Sequence, residues 1–164
     1  MQEILSNKQI EQKINRLAHQ IIENCFQEKI IHIIGIVGNG VTLANRLSLI
    51  ITKNSDIKVN NFEIIINKSE PLSKKIEFSS NINSLENGFI ILVDDVLNSG
   101  KTMQYALTEI LKIPTKAIKT VALVDRKHRK FPIKADFVGL VLSTTLKERV
   151  EVILNESNQK AYLV

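Results

Sequence analysis

Phe89 to Thr102, FIILVDDVLNSGKT, is the stretch that decides the fold of this chain. It opens on a continuous apolar run, Phe89 to Val93, which is typical of a strand buried on both faces of a parallel sheet. Asp94 and Asp95 follow directly, at the strand end where open α/β sheets bind ligands. Ser99 is expected to cap a helix whose first N–H groups converge on an anion. These features together predict an anion-binding edge in an α/β fold.

The rest of the chain alternates between helical and strand patterns. Apolar residues at helical spacing predict an amphipathic helix over Asn7–Glu28, a second helix after Gly40 and a third over Thr102–Lys112. β-branched apolar runs predict further strands, at Ile30–Ile36, Ile57–Ile66 and Ile118–Val124. Strands that alternate with helices indicate a central parallel sheet flanked by helices, in one domain that covers residues 1–164.

The interval from Asn67 to Asn87 is polar, contains Pro71 and lacks a clear period. Two interpretations remain open for it. It is either a solvated loop or, together with the C-terminal strands, a small mobile hood that closes over the anion site and excludes water.

Composition narrows the class of protein. The chain has 164 residues, of which 44% are hydrophobic, as expected of a globular domain with a real core. A net charge of +5 fits either attraction to nucleic acid or a compositional bias towards lysine. Cys25 is the only cysteine, which excludes a disulfide framework and makes a reducing cytoplasm the expected setting. The apolar runs are too short to predict a membrane span.

Two common phosphate motifs do not fit. A Walker loop also ends in Gly-Lys-Thr, but it requires a glycine where this chain has Asp95. The other glycine cluster, from Gly35 to Gly40, has the spacing GxxGxG and not the dinucleotide fingerprint GxGxxG. An ATPase and a dinucleotide-binding enzyme are therefore disfavoured.

The acid pair and the Ser-Gly-Lys-Thr turn resemble the phosphoribosyl-pyrophosphate (PRPP) motif of type I phosphoribosyltransferases. This resemblance implies that Asp94 and Asp95 hold the ribose hydroxyls, directly or through Mg²⁺, and that Lys68 assists catalysis when the hood closes. It also implies a PRPP-binding segment that wraps the 5′-phosphate, formed by Asp94, Asp95, Val96, Leu97, Asn98, Ser99, Gly100, Lys101 and Thr102. The loop expected to contact pyrophosphate comprises Val37, Gly38, Asn39 and Gly40.

The C-terminal third resembles the bacterial pyrimidine operon regulators that are also uracil phosphoribosyltransferases. Three segments carry this resemblance, namely residues 122–129 (ALVDRKHR), 132–139 (PIKADFVG) and 147–152 (KERVEV). The resemblance implies a homodimer that joins uracil to PRPP, forms a nucleoside 5′-monophosphate and releases pyrophosphate. Phe137 would stack on the nucleobase and the Val138 backbone would read its edge. RNA would be a second ligand, contacted by His19, Arg129 and Lys134.

Hypoxanthine-guanine enzymes usually have an aspartate where this chain has Asn98, and an amide cannot act as a general base. This difference disfavours a 6-oxopurine transferase.

Two departures from the regulators bear on activity. The pyrophosphate loop of these regulators usually carries two arginines, but the matching positions here are Val37 and Asn39. The hood retains one positive charge, Lys68, in its Asn-Lys-Ser-Glu run. The alternative is therefore a catalytically weak or inactive regulator that senses PRPP or nucleotides and binds RNA of pyrimidine genes.

Overall fold

The computed structural model describes residues 1–155 and 157–164, which form three α-helices and nine strands. The helices are α1 (Asn7–Asn24), α2 (Asn39–Asn54) and α3 (Lys101–Ile110). The strands are β1 (Gln2–Leu5), β2 (Ile30–Ile36), β3 (Lys58–Ile65), β4 (Glu77–Phe78), β5 (Phe89–Leu97), β6 (Ala117–Asp125), β7 (Phe137–Val141), β8 (Val150–Asn155) and β9 (Asn158–Leu163). A short 3-10 helix covers Ile82–Leu85.

Six strands form the central sheet in the order β4-β3-β2-β5-β6-β7. All neighbouring pairs are parallel except β3 with β4. The register places Val93 of β5 beside Gly35 of β2 and Val121 of β6, so the three strands end at one edge. The prediction of an α/β fold with a central parallel sheet is confirmed.

A second, antiparallel sheet has the order β1-β9-β8. It joins the N-terminus to the C-terminal strands, and Gln159 of β9 ties it to the helices by donating to Asn7 at 2.8 Å and accepting from Arg46 of α2. The polar interval before β5 contains β4 and the 3-10 helix, so part of it extends the edge of the central sheet.

Helix α1 begins at a capping box. The Ser6 hydroxyl accepts from the Gln9 backbone N–H at 3.4 Å, and the Gln9 side chain accepts from the Ser6 N–H at 2.9 Å. The helix ends at Asn24, before the expected Glu28, because the Cys25 N–H caps the carbonyls of Ile21 and Ile22 and the chain then turns. Burial raises the pKa of the Cys25 thiol to about 11, so this cysteine is a core residue and not a reactive one.

Two apolar cores lie on opposite faces of the central sheet. Alternate residues of β5 supply each core, with Ile91 and Val93 on one face and Ile90 and Leu92 on the other. Helices α1 and α2 cover the first face and α3 covers the second. Within residues 1–155 and 157–164, no helix has the length and apolar character needed to cross a membrane.

His32 of β2 is expected to make the folded protein less stable in acid. The residue is 7% exposed and its ring packs edge-on to Phe62 at 5.9 Å, and burial lowers its pKa from the ordinary 6.5. Below about pH 6.5 the unfolded chain gains a proton on His32 that the folded chain resists, so the contribution of His32 to the free energy of unfolding should fall as the pH falls. Urea titrations of wild type and His32→Gln at about pH 5 and about pH 8 test this.

The variant should lose less stability on acidification than the wild type. His19→Gln, at an exposed histidine of α1, is the matched control and should leave the pH dependence unchanged. Equal acid sensitivity in wild type and His32→Gln would show that the buried ring is not responsible.

Candidate active site

A cavity of about 590 Å³ lies at the carboxyl ends of the central strands, where the sequence predicted an anion site. Its lining combines the PRPP-like segment, the start of the polar interval and the first residues of β8. The lining residues are Asn39, Lys68, Ser69, Asp94, Asp95, Val96, Leu97, Asn98, Ser99, Gly100, Lys101, Thr102, Met103, Val150, Glu151, Val152 and Ile153.

Asp94 and Asp95 form the floor of this cavity. Asp94 is 4% exposed, and its Oδ1 accepts from the Asp95 N–H at 2.9 Å and from Lys68 Nζ at 3.3 Å. Burial, and secondly the Asp95 charge, raise the pKa of Asp94 to about 7, although Lys68 lowers it. One carboxylate is thus held near its protonation midpoint at neutral pH. Asp95 accepts from the Val96 N–H at 2.9 Å and is only partly buried.

Helix α2 approaches the acids closely because two glycines allow it. A Cβ on Gly35 would lie 2.6 Å from the Val41 Cα, and one on Gly40 would lie 2.8 Å from the Val93 carbonyl oxygen and 3.2 Å from Asp94 Oδ1. Gly38, at the turn into the helix, has a φ of 96°. The absence of a side chain at Gly35 and Gly40 therefore allows α2 to pack close to Asp94.

Asn39 connects the two sides of the cavity. Its side-chain amide donates to Asp95 Oδ2 at 3.0 Å and to the Val152 carbonyl of β8 at 2.8 Å. Of the four residues expected to contact pyrophosphate, Asn39 is the one that lines the cavity; Val37 instead donates its N–H to the Ile64 carbonyl at 3.0 Å.

The turn before α3 differs from the expected cap. Gly100 and not Ser99 is the N-cap residue, with φ 84° and ψ 0°. This backbone conformation suits glycine, and a Cβ there would lie 2.5 Å from Ile133 Cγ2. The Ser99 hydroxyl accepts from the Lys101 N–H at 3.2 Å, so it holds the turn without capping the helix. The turn and the start of α3 still face the cavity, which agrees with an anion site.

The start of the polar interval reaches over the acids. Lys68 contacts Asp94, and the neighbouring Ser69 carbonyl accepts from Lys101 Nζ at 3.2 Å. The start of the polar interval therefore contacts both Asp94 and Lys101.

Arg126, which was not identified from the sequence, connects Asn98 to the segment before β8. It is 7% exposed, and its Nη1 donates to Asn98 Oδ1 at 3.1 Å while its Nε donates to Thr144 Oγ1 at 3.1 Å. Its Nη2 lies 3.3 Å from His128 Nδ1, which must be the acceptor because a guanidinium has no lone pair to offer. The His128 proton therefore sits on Nε2, 2.7 Å from the Thr144 carbonyl. Burial lowers the pKa of Arg126, and Glu148 opposes that shift.

Phe137 and Val138, which are expected to contact the nucleobase, are not among the residues that line this cavity. Phe137 is 7% exposed and its side chain packs in the core beneath α1. Val138 pairs with Ala122, which in turn pairs with Asp94, so Val138 lies two strands away from the acid at the same level of the sheet. The Val138 and Gly139 carbonyls accept from Arg16 of α1, at 3.5 and 2.8 Å. The C-terminal wall of the cavity is instead β8, from Val150 to Ile153.

The three residues expected to contact RNA lie on separate elements, and their contact with RNA stays a prediction. His19 is exposed on α1, on one side of the central sheet, whereas the Arg129–Lys134 loop packs through Ile133 on the α3 side. Arg129 is also engaged internally, by an ion pair with Asp125 at 2.7 Å and a bond to the Asn98 carbonyl at 2.7 Å. Lys134 is exposed.

The acid pair matches the way proteins hold Mg²⁺ through a substrate. Within residues 1–155 and 157–164, no three His, Cys, Asp or Glu side chains form a complete metal cage. Mg²⁺ usually keeps several waters and binds through one or two carboxylates plus substrate phosphates, which Asp94 and Asp95 suit.

Comparisons with known proteins agree with this geometry. The phosphoribosyl transferase domain model matches residues 1–153. Curated relatives named "Bifunctional protein PyrR" include one from Herpetosiphon aurantiacus, 34% identical over 94% of this chain and 90% of that protein. Another, from Clostridium novyi, is 35% identical over 93% of this chain and 90% of that protein.

Solved structures show the same fold. The hypoxanthine phosphoribosyltransferase of Trypanosoma cruzi superposes with a TM-score of 0.81 at 15% identity, covering 99% of this chain and 95% of that one. A hypoxanthine-guanine phosphoribosyltransferase from Bacillus anthracis gives a TM-score of 0.77 at 22% identity, covering 100% and 98%. The resemblance stated from the sequence is thus confirmed. Because the family model matches residues 1–153 and the curated relatives cover most of the chain, this chain belongs to the phosphoribosyltransferase family and is a pentosyltransferase.

Proposed function

We propose that this protein transfers the ribose 5-phosphate of PRPP to uracil and releases pyrophosphate. The observation that carries the proposal is the convergence of Asp94, Asp95 and the Gly100 turn on one cavity at the sheet edge. The bond from ribose C1 to the pyrophosphate oxygen breaks, with its electron pair leaving on pyrophosphate, as the bond to the uracil ring nitrogen N1 forms and the N1 proton is lost to solvent. The choice of uracil follows from the resemblance to the pyrimidine regulators. A homodimer and a cytoplasmic setting belong to the same proposal.

In this proposal each wall of the cavity has one task. Asp94 and Asp95 accept from the ribose hydroxyls and, with the substrate phosphates, would hold Mg²⁺, which would neutralise charge on the leaving group. The Ser99–Thr102 turn binds the 5′-phosphate with backbone donors and hydroxyls. The base lies against β8, at Val150–Ile153, because these residues line the same cavity as the acid pair.

Asn39 and Lys68 carry the pyrophosphate half of the site. The resemblance to the regulators implies an arginine at the position of Asn39, and the Asn39 amide is already shared between Asp95 and Val152. An amide gives no positive charge, so less leaving-group stabilisation is expected from this loop than from a guanidinium. Lys68 is then the cation that compensates, since it already reaches the acid pair.

Lys68→Met should raise the KM for PRPP about tenfold and lower kcat, because it removes a charge-assisted contact. Lys68 is 43% exposed at its side chain, so the effect is modest in size. Lys68→Arg keeps the charge and should stay within about threefold of wild type. Steady-state kinetics with uracil at saturation measure both variants. An unchanged KM for PRPP in Lys68→Met would remove Lys68 from the site.

The transfer reaction itself is tested with radiolabelled nucleobases, PRPP and Mg²⁺. We expect labelled UMP and an equal amount of pyrophosphate from uracil, and little or no product from hypoxanthine or guanine. Product from a purine but not from uracil would overturn the choice of base. The absence of product from every base would leave the alternative below.

The second candidate is an RNA-binding regulator of pyrimidine genes with weak catalysis. The absence of arginine at Val37 and Asn39 favours it, as does the +5 net charge. Filter binding to pyrimidine leader RNA and to a shuffled RNA over a salt series separates the two sources of affinity. Specific recognition predicts a preference for the leader that persists at high salt, whereas lysine-driven attraction predicts equal binding and a steep salt dependence.

A further inference from the structure

The Asn98 side chain is held from one side only. Its Oδ1 accepts from Arg126 Nη1 at 3.1 Å. Because a guanidinium carries only N–H donors, the atom of Asn98 that faces it has to be the carbonyl oxygen. The amide nitrogen must therefore point away from Arg126.

The amide nitrogen is available to a ligand. Asn98 is exposed and lines the cavity beside the acid pair and the phosphate turn. Among residues 1–155 and 157–164, the hydrogen bonds made by its side chain go through Oδ1, and Nδ2 has no protein acceptor. Asn98 thus holds its carbonyl oxygen on Arg126 and leaves its two N–H donors for whatever occupies the cavity.

Arg126 is itself anchored, so this orientation is stable. Its other N–H groups donate to Thr144 Oγ1 at 3.1 Å, to the Thr145 carbonyl at 3.4 Å and to the Glu148 carbonyl. These partners lie in the segment that leads into β8, the wall assigned to the base. If the amide turned over, its NH₂ would face the buried guanidinium, and two donors would meet without an acceptor.

We propose that Arg126 is a positioning residue that makes Asn98 a one-way hydrogen-bond donor, and that this donor selects nucleobases with a carbonyl acceptor at that edge. Uracil has carbonyl oxygens on both sides of its N3, whereas cytosine has an amino group in place of one of them. A cytosine amino group directed at Asn98 would meet a donor and leave both groups unpaired. This inference rests on the proposed function and names how the same site discriminates between bases.

The test compares the Kd values of UMP and CMP by calorimetry. The two nucleotides share their ribose 5′-phosphate, so the ratio of Kd values isolates the base edge and does not require turnover. For wild type we expect CMP to bind at least about tenfold more weakly than UMP. Asn98→Asp keeps an oxygen on Arg126 but replaces the amide NH₂ with a second oxygen, which accepts hydrogen bonds. The variant should therefore bind CMP more tightly than UMP. The added negative charge should weaken the binding of both nucleotides equally, so it should not change the ratio of their Kd values.

Arg126→Met frees the amide to turn and should bring the ratio to within about threefold of one. Circular dichroism shows whether the variant at the buried Arg126 folds. If Arg126→Met does not fold, Asn98→Asp still tests the inference, because Asn98 is exposed and its substitution should not disturb the fold. A ratio of Kd values near one in the wild type, or an unchanged ratio in Asn98→Asp, would overturn the inference about Arg126 and Asn98. Neither result would contradict the proposed transfer reaction. Failure of wild type to bind either nucleotide would instead count against the proposed function.

Discussion

The double variant Asp94→Asn with Asp95→Asn should lose affinity for PRPP by at least about 100-fold in the presence of Mg²⁺, as measured by calorimetry. Each carboxylate is expected to make charge-assisted bonds to the ribose or to the metal, and a neutral amide cannot replace these. Unchanged binding in this variant would refute the assignment of the acid pair.

The single variant Asp94→Asn should also stabilise the protein without ligand. Burial and the Asp95 charge raise the pKa of Asp94 from 3.8 to about 7, so between these values the folded chain holds a proton that the unfolded chain has lost. The contribution of Asp94 to the free energy of unfolding therefore falls as pH rises through this window, and the loss is complete above about pH 7. Removing the charge should recover about 1–3 kcal/mol at about pH 8 and much less at about pH 4.

Thermal melts at these two pH values measure the gain. Asp56→Asn replaces an exposed acid and is the matched control, which should change stability by less than about 0.5 kcal/mol. A loss of stability in Asp94→Asn at the higher pH would mean that its ion pair with Lys68 outweighs the cost of burying the carboxylate.

Gly40→Ala should destabilise the protein by about 2 kcal/mol and lower kcat/KM by more than about tenfold. The added methyl would lie 2.8 Å from the Val93 carbonyl oxygen and 3.2 Å from Asp94 Oδ1. Since the nearer contact is with backbone, helix α2 has to move away from the acid that it helps to enclose. Urea titration gives the stability change and steady-state kinetics give the activity change.

Gly38→Ala separates crowding from backbone strain. Nothing lies within 4 Å of a Cβ at Gly38, but its φ of 96° disfavours any other residue. This variant should therefore lose about 1 kcal/mol through strain and keep the position of α2. If both variants lose the same stability and activity, the close approach at Gly40 is not what positions Asp94.

The sequence predicted the central strands well, because their signal is local. The bounds of β2 match the apolar run Ile30–Ile36, and the start of β5 at Phe89 was also expected. The cap of α3 was wrong because Ser99 is the usual residue type for it, whereas the choice of Gly100 depends on Ile133, which packs against it from a distant loop.

Lys68 and the acid pair were expected to act together, and the structure places Lys68 in contact with Asp94. Arg126 was overlooked because its partners, from Asn98 to Glu148, come together only in the folded chain. The signal available was an arginine next to Asp125 at the end of a buried strand, where a buried charge requires several acceptors.

The side of the sheet that Phe137 faces could not be predicted from the sequence. The apolar run that contains it predicts a strand but does not say which residues face the helices. In the structure the Phe137 ring packs in the core under α1.

The most direct measurement is a crystal structure of the protein with UMP bound. We expect the 5′-phosphate to lie within hydrogen-bonding distance of the backbone N–H groups from Ser99 to Thr102. We expect the ribose hydroxyls to donate to the carboxylates of Asp94 and Asp95. A phosphate bound elsewhere, or a turn left empty while UMP occupies another cavity, would contradict these expectations.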